Sequence, residues 1–274
     1  AQPIHVQGRS LQLTASIGIA LFPRDAHDAG DLTRFAEQAL YEAKKAGRAR
    51  HSFFDEEMNA VASARLAREA DLRRAIHAGE LRVYLQPKVD ARSGAIVGAE
   101  ALVRWQHPGN GLVPPGNFIP LAEETGLILP LTDWMLQQVA ALMGRWQRQG
   151  LPAMPVSVNV AAPCFMADGL AEQLTRLVQQ HGVRPEHLVL EVTESLLMTD
   201  VDRAVARLDL LRSRGFKLSL DDFGTGFSSL SYIKRFAIDE LKIDRSFVMD
   251  VQRGGKDGAL VASTGTAGTS GWAG

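Results

Sequence analysis

Two adjacent acidic residues follow a short stretch where a β-strand is expected to end. Residues 217–220 alternate between polar and apolar side chains, Asp221 and Asp222 come next, and Gly224 and Gly226 follow closely. Carboxylates at the end of a strand could hold a divalent cation, and glycine permits the backbone angles of a tight loop beside them. An acidic turn that caps the strand is the common alternative for such a stretch. The rest of the chain must therefore show whether these residues form a cation site or a capping turn.

Isolated polar residues interrupt other apolar segments in the same manner. A charged side chain within an apolar strand is costly to bury unless it is paired or binds a metal. In a parallel barrel the carboxyl ends of the strands converge on one face, so polar residues near those ends are expected to form one site. Carboxylates and an amide, without histidine or cysteine, favour Mg²⁺ or Mn²⁺. The residues concerned are Glu100, Asn159, Glu191, Asp221, Asp222 and Lys242.

From residue 81 onward, short apolar segments typical of strands alternate with amphipathic segments typical of helices. Asn159 and Glu191 are 32 positions apart, and Glu191 and Asp221 are 30 apart. These intervals suit successive βα units and predict a largely parallel sheet or barrel. The predicted strands cover residues 82–88, 95–105, 155–160, 188–192, 216–220 and 240–243, and the predicted helices cover 131–149, 169–181 and 201–214.

Residues 1–58 form a separate predicted unit, with a strand at 11–20 and a helix that Gly47 ends. About fifty residues with so few elements make a poor independent core. The following segment, 55–80, is rich in Ala, Arg and Glu and predicts a connecting helix. A signalling coiled coil is the alternative, although no strict heptad persists.

The composition indicates a globular chain and restricts the classes of partner that the chain is expected to bind. The chain has 274 residues, of which 46% are hydrophobic and 22% charged, and its formal net charge is -1. This balance provides no bulk positive field for a nucleic acid polymer or an anionic membrane. The single cysteine, Cys164, excludes an internal disulfide and is predicted to pack as a small hydrophobic residue. No apolar run reaches the length of a membrane span and no signal-peptide pattern is found, so a cytoplasmic location is expected.

The three residues at 100–102 are Glu-Ala-Leu, and several further motifs occur in order over about residues 62–258. Together they resemble the EAL family of cyclic di-GMP phosphodiesterases, of which Glu-Ala-Leu is the signature. The resemblance implies a TIM-barrel-like (β/α)8 fold and the hydrolysis of cyclic di-GMP to linear pGpG in bacterial second-messenger signalling. The other matching stretches are Tyr-Leu-Gln-Pro at 84–87, Phe-Ile-Pro-Leu-Ala-Glu-Glu-Thr-Gly at 118–126, Glu-Val-Thr-Glu-Ser at 191–195, residues 221–230, and Lys-Ile-Asp at 242–244.

The resemblance also implies roles for individual residues. Two Mg²⁺ or Mn²⁺ ions would activate water for displacement at phosphorus, Ca²⁺ would bind and inhibit, and a homodimer would form through this domain. Arg104 offers a planar donor fork suited to phosphate, with a surface ion pair to Glu123 or Glu124 as the alternative. The implied metal ligands are Glu100, Asn159, Glu191, Asp221 and Asp222; the catalytic residues are Lys242, Asp222 and Glu100; the substrate contacts are Gln86, Arg104 and Asp222; and Glu194 stabilises a loop.

The N-terminal unit resembles the closing third of a GGDEF, or diguanylate cyclase, domain. The resemblance rests on residues 13–20, Pro23 and residues 39–48. The signature loop of that family would lie upstream, and Glu37 stands where the family usually has aspartate. We therefore expect residues 1–58 to be a structural remnant without cyclase activity.

The predicted EAL domain, residues 81–258 after a connecting helix at 59–80, departs from its family at the end. Six strands are found where the barrel needs eight, and the 30 residues after Asp244 cannot hold two more βα units. Residues 259–274 show no strand or helix pattern and predict a flexible tail, or the product of a truncation or frameshift. We therefore expect impaired turnover. The alternatives are a receptor that binds cyclic di-GMP without hydrolysing it and a non-functional fragment.

Overall fold

The computed structural model describes residues 4–6, 9–223, 235, 236 and 238–243. The chain divides into two compact units, Ala1–Arg73 and Arg74–Gly274. The predicted tail at 259–274 and most of the loop after Phe223 lie outside the described residues. None of the described helices has the length and apolar character that a membrane span requires.

The first unit combines two strand pairs with a long helix. The strand predicted at 11–20 is shorter in the structure, since residues 12–16 form no strand. The connecting helix predicted at 55–80 is present as α2 (Glu56–Ala78). The remaining elements are the antiparallel pair β1 (Ile4–Val6) and β2 (Arg9–Leu11), the parallel pair β3 (Ile17–Ile19) and β4 (His51–Phe53), and the helix α1 (Ala29–Lys45).

The helix α1 and the strand β3 pack closely together at Gly18. A Cβ atom on Gly18 would lie 1.9 Å from the carbonyl oxygen of Ala36 and 2.3 Å from the backbone nitrogen of Leu40. These neighbours are helix backbone atoms, which cannot move aside as a flexible side chain could. Glycine therefore permits the contact between the helix and the strand pair in this unit.

The second unit is built on one twisted sheet that contains all six strands predicted for it. The strand order is β11-β10-β9-β8-β6-β5, and a short additional strand, β7, pairs with β6. The β5–β6 and β6–β7 pairs are antiparallel and the other pairs are parallel. The prediction of a largely parallel sheet is confirmed. The strands are β5 (Leu81–Val89), β6 (Ile96–His107), β7 (Gly111–Val113), β8 (Val156–Asn159), β9 (Leu188–Thr193), β10 (Lys217–Phe223) and β11 (Glu240–Ile243).

Helices cover one face of this sheet and form the core with it. The helix predicted at 131–149 is α4 (Ile128–Arg148), and its stripe of Leu131, Met135 and Val139 is buried, as expected for core contact. The alternate residues of the strands, such as Val158, face this layer and lie in the same cluster, which also contains Cys164. The other helices are α3 (Ile119–Thr125), α5 (Ala162–Phe165), α6 (Leu170–His181), α7 (Glu194–Thr199) and α8 (Val201–Ser213).

Candidate active site

The face of the sheet opposite the helices carries the polar residues that the sequence singled out. Side chains alternate between the two faces along each strand, so a buried apolar face implies a second face made of the intervening residues. Strand register places Asn159 beside Glu191, Glu191 beside Ser219, and Glu100 beside Ser157. The predicted convergence of these strands on one site therefore follows from their register.

Three carboxylates on this face form a group that could hold a metal ion. One oxygen each from Glu100, Glu191 and Asp221 lies within 4.8 Å of the other two. Oxygen ligands about 2.1 Å from Mg²⁺ in octahedral geometry lie about 3 to 4.2 Å apart, so the spacing of the carboxylates suits such an ion. Glu191 is buried, while Glu100 and Asp221 are partly exposed, which leaves the group open on one side. The hard oxygen donors fit Mg²⁺ or Mn²⁺.

Lys242 occupies the centre of this group. Its Nζ atom lies 3.0 Å from Oε2 of Glu100, 2.9 Å from Oε2 of Glu191 and 2.9 Å from Oδ2 of Asp221. Burial by itself lowers the pKa of the Lys242 ammonium, but the hydrogen bonds to Glu191 and Asp221 outweigh burial and the net pKa is raised. The ammonium therefore stays charged and supplies positive charge to three carboxylates at once.

Asn159 orients one member of the group. Its Nδ2 atom donates a hydrogen bond to Oε1 of Glu100 at 3.1 Å. Because Oε2 of Glu100 faces Lys242, the two oxygens of this carboxylate have different partners. The amide oxygen of Asn159 is the atom through which this residue could bind a cation.

A second lysine, Lys88, lies on the same face and was missed by the sequence reasoning. Its Nζ atom lies 2.7 Å from Oγ of Ser157, 3.1 Å from Oε1 of Glu191 and 2.9 Å from Oε1 of Glu240. Burial lowers the pKa of Lys88, yet the hydrogen bond to Glu240 and the charge of Glu191 more than offset this effect and the pKa is raised. The sequence did contain one indication that Lys88 belongs to the site, which is its spacing. Lys88 is two residues beyond Gln86, so both side chains face the same side of β5.

The strands β5 and β11 lie at opposite ends of the strand order. Lys88 belongs to β5 and Glu240 belongs to β11, yet their charged groups are in contact. The sheet is therefore curled until its two ends lie within reach of one lysine side chain, as the predicted barrel-like fold requires.

Asp222 and Glu194 differ from the central group in their placement. The described carboxylates that lie within 4.8 Å of one another do not include Asp222. Asp222 has a left-handed backbone with φ of 55°, and its N–H donates to Oδ1 of Asp221 at 2.9 Å. Glu194 is buried at the start of α7, directly after β9. The loop that it is predicted to stabilise lies mostly outside the described residues, and both roles remain predictions.

Two of the three predicted substrate contacts, Gln86 and Arg104, lie on β5 and β6 near the central group. Gln86 is exposed and pairs in register with Glu100. Arg104 is on the same face of β6 as Glu100, and its Cζ atom lies 5.7 Å from the centroid of the Tyr84 ring, a distance typical of a cation–π contact. These residues place amide, guanidinium and aromatic groups beside the carboxylates.

A cavity of about 350 Å³ adjoins the group at the middle of β6 and the carboxyl ends of β8 and β9. Its wall is mainly apolar and includes Leu102, Pro115 and Ile119, while Asn159 and Glu191 form a polar part of the wall. An apolar cavity with a few polar groups is typical of a site for a small organic ligand.

Comparison with known proteins places this arrangement in a family. The protein-family model described as "EAL domain" matches residues 69–267. The chain belongs to the EAL domain family. A second model, "Diguanylate cyclase, GGDEF domain", matches residues 1–50. The resemblances to both families that the sequence motifs indicated are thereby confirmed.

Individual relatives are similar over most of this chain. The bifunctional diguanylate cyclase/cyclic di-GMP phosphodiesterase MucR of Pseudomonas aeruginosa is 41% identical over 96% of this chain and 38% of its own length. The cyclic di-GMP phosphodiesterase NbdA of the same organism is 38% identical over 93% of this chain and 33% of its own length. The chain thus spans less than two fifths of either relative.

A solved structure supports the fold assignment. The structure titled "PaMucR Phosphodiesterase, c-di-GMP complex" has a TM-score of 0.68 and 42% sequence identity, and the match covers 72% of this chain and 80% of that one. The TIM-barrel-like EAL fold predicted from the sequence is confirmed by this likeness.

Proposed function

We propose that this chain is a metal-dependent phosphodiesterase that hydrolyses cyclic di-GMP to linear pGpG. The observation that carries the proposal is the convergence of Glu100, Glu191 and Asp221 from three strands around Lys242. The relatives MucR and NbdA carry the name cyclic di-GMP phosphodiesterase, and the similar solved structure holds that dinucleotide.

The three carboxylates, with the amide oxygen of Asn159, would hold Mg²⁺ or Mn²⁺. When bound, such cations supply Lewis-acid stabilisation of the phosphodiester and lower the pKa of water. Asn159 keeps Glu100 oriented through its Nδ2 donor. Asp222 is proposed as a further ligand because it directly follows Asp221 at the end of β10.

Lys242 would carry positive charge at the reacting phosphate. Its ammonium is held among Glu100, Glu191 and Asp221, the residues that would hold the cation, and so lies beside the place proposed for the reacting phosphate. There it could orient water and stabilise the negative charge that builds up on phosphate oxygens. A protonated lysine suits this role better than that of a general base.

The residues of β5 and β6 would position the dinucleotide. The guanidinium of Arg104 suits a phosphate oxygen pair, and its contact with the Tyr84 ring restricts its orientation. Gln86 adds amide groups on the same face, opposite Glu100. Glu194, buried at the start of α7, is proposed to steady the loop after β10.

Incubation of the purified 274-residue chain with cyclic di-GMP and Mg²⁺ or Mn²⁺ tests the proposal. Chromatography should show linear pGpG, and chelation of the metal or the substitution Glu100→Gln should abolish its formation. Ca²⁺ is expected to compete and inhibit. Arg104→Lys should weaken dinucleotide binding while cation binding stays as in the unmodified chain.

Calorimetric titration with cyclic di-GMP, together with the product assay, distinguishes a phosphodiesterase from a receptor that only binds the dinucleotide. Binding of cyclic di-GMP in Ca²⁺ without product in Mg²⁺ or Mn²⁺ would favour a receptor over a phosphodiesterase. If the chain unfolds cooperatively, and is therefore folded, but shows neither binding nor product, both the phosphodiesterase and the receptor assignments are refuted.

A further inference from the structure

The two oxygens of the Glu191 carboxylate have two different lysine partners. Oε1 lies 3.1 Å from Nζ of Lys88, and Oε2 lies 2.9 Å from Nζ of Lys242. The side chain of Glu191 is fully buried, so no water shell can substitute for either contact. The carboxylate is therefore held with one oxygen on each side.

Lys88 is itself fixed by three acceptors. Ser157 on β8, Glu191 on β9 and Glu240 on β11 each accept from its ammonium at 3.1 Å or less. An ammonium has three N–H donors, so these contacts use its full capacity. Withdrawal of Lys88 from Glu191 would leave a buried carboxylate oxygen without its partner, which is costly.

The two lysines differ in what a metal ion would do to them. Lys242 contacts Oε2 of Glu100, Oε2 of Glu191 and Oδ2 of Asp221 together, so a cation bound by this group competes with that ammonium. Lys88 contacts only the far oxygen of Glu191 within this group. It can therefore remain in place when the group binds a cation.

We propose that Lys88 is a positioning residue that restricts Glu191 to binding through Oε2 alone and so favours Mg²⁺ or Mn²⁺ over Ca²⁺. Mg²⁺ takes single oxygens in a near-ideal octahedron, whereas Ca²⁺ takes more oxygens and often binds both oxygens of one carboxylate. An ammonium on Oε1 blocks that second bond. The inference rests on the metal site of the proposed function and assigns to Lys88 the choice between cations.

The test is calorimetric titration of the 274-residue chain with Mg²⁺, Mn²⁺ and Ca²⁺, each alone. Lys88→Met removes the ammonium and keeps most of the side-chain volume. Its affinity for Mg²⁺ should fall about tenfold, the scale typical of lost outer contacts to a metal ligand, while its affinity for Ca²⁺ is unchanged or higher. Lys88→Arg, which keeps a charged donor, should restore much of the preference of the unmodified chain.

Glu240→Gln is the matched control. It removes the charge on the other side of Lys88, whose contact with Glu240 measures 2.9 Å, and leaves Glu191 intact. The Mg²⁺ to Ca²⁺ preference should stay within about twofold of the unmodified chain, since Lys88 still holds Oε1. An equal preference in Lys88→Met and the unmodified chain, or an equal change in Glu240→Gln, would overturn the inference.

A crystal structure of the unmodified chain with Ca²⁺ provides a test that does not depend on any variant folding. Glu191 should bind the ion through one oxygen, and coordination through both oxygens would overturn the inference. Hydrolysis of cyclic di-GMP is measured separately: cation binding with the expected preference but without product would refute the proposed function and support the role of Lys88. Failure of the unmodified chain to take up any of the three cations would refute both.

Discussion

The Nζ atom of Lys242 lies 2.9 Å from Oδ2 of Asp221, one strand away in the sheet. The same ammonium contacts Glu100 and Glu191, so it occupies the position at which the three carboxylates would hold a cation. An ammonium and a divalent ion compete for these oxygens because both draw on the same negative charge. We therefore expect metal uptake at this site to require movement of this lysine.

Lys242→Met should lower the stability of the metal-free chain, because one buried and two partly exposed carboxylates lose their shared positive partner. The loss of such a partner costs up to about 3–5 kcal/mol for fully buried pairs, and less here because the site is open on one side. Mg²⁺ or Mn²⁺ should then raise the melting temperature of the variant by more than that of the unmodified chain. Thermal unfolding with and without each cation measures this difference.

Lys217→Met is the control for this experiment, since Lys217 is an exposed lysine at the start of β10. It should leave both the melting temperature and the cation effect close to those of the unmodified chain. An equal rise of melting temperature on cation addition in Lys242→Met and the unmodified chain would contradict competition at the site.

Two buried serines provide a matched pair that tests the contacts of Lys88. Ser157 accepts from Lys88 at 2.7 Å, whereas Oγ of Ser219 has no hydrogen-bond partner among the described residues. Ser157→Ala should lower the free energy of unfolding by about 1.5–3 kcal/mol, because hydrogen bonds to charged groups are worth this much. Ser219→Ala should be neutral or slightly stabilising, as it removes an unpaired buried hydroxyl. Urea denaturation compares them, and equal losses would contradict the assignment.

The sequence predicted the central group because each member interrupts an apolar segment. Glu191 stands between Leu190 and Val192, and such an interruption is conspicuous within a buried strand. Lys88 produces no such signal, because β5 is not a buried strand: only its first residue is buried. The contacts of Lys88 with Glu191 and Glu240 bring together β5, β9 and β11, and the curling of the sheet that permits them is a tertiary property.

The direction of the strands was predicted from the sequence only in part. The interval between Asn159 and Glu191 predicted parallel βα units, and β8 and β9 are parallel. The antiparallel entry of β5 beside β6 was not predicted, although the connection at 90–95 is too short for the crossover that joins parallel strands. Asp222 is a further case: adjacency to Asp221 made it a candidate ligand, yet neighbouring strand residues face opposite sides unless the backbone departs from regular geometry.

His187 should make the second unit less stable in mild acid. Its Nδ1 atom is buried without a hydrogen-bond partner among the described residues, and its Nε2 atom lies 2.9 Å from Nη2 of Arg184. Burial first, and then the charge of Arg184, lower the pKa of His187 in the folded chain. Below about pH 6.5 the unfolded chain binds a proton that the folded chain resists, so stability falls as pH decreases.

His187→Leu should reduce this loss of stability between about pH 7.5 and 5.5. Denaturant unfolding at several pH values measures it, with the other histidines common to both chains. His77→Leu, at an exposed position, should keep the pH dependence of the unmodified chain. The same pH dependence in His187→Leu would contradict the role of His187.

Gly18→Ala should destabilise the first unit, because the new methyl group would lie 1.9 Å from the carbonyl oxygen of Ala36. The helix backbone on this side must shift, which costs about 1–3 kcal/mol or more. Gly30→Ala is the control, since its nearest neighbour is a side-chain oxygen of Asp28 at 3.2 Å and alanine favours helix. Hydrogen exchange should report faster opening of α1 in Gly18→Ala alone. Unchanged exchange in that variant would show that α1 and β3 do not pack this closely in solution.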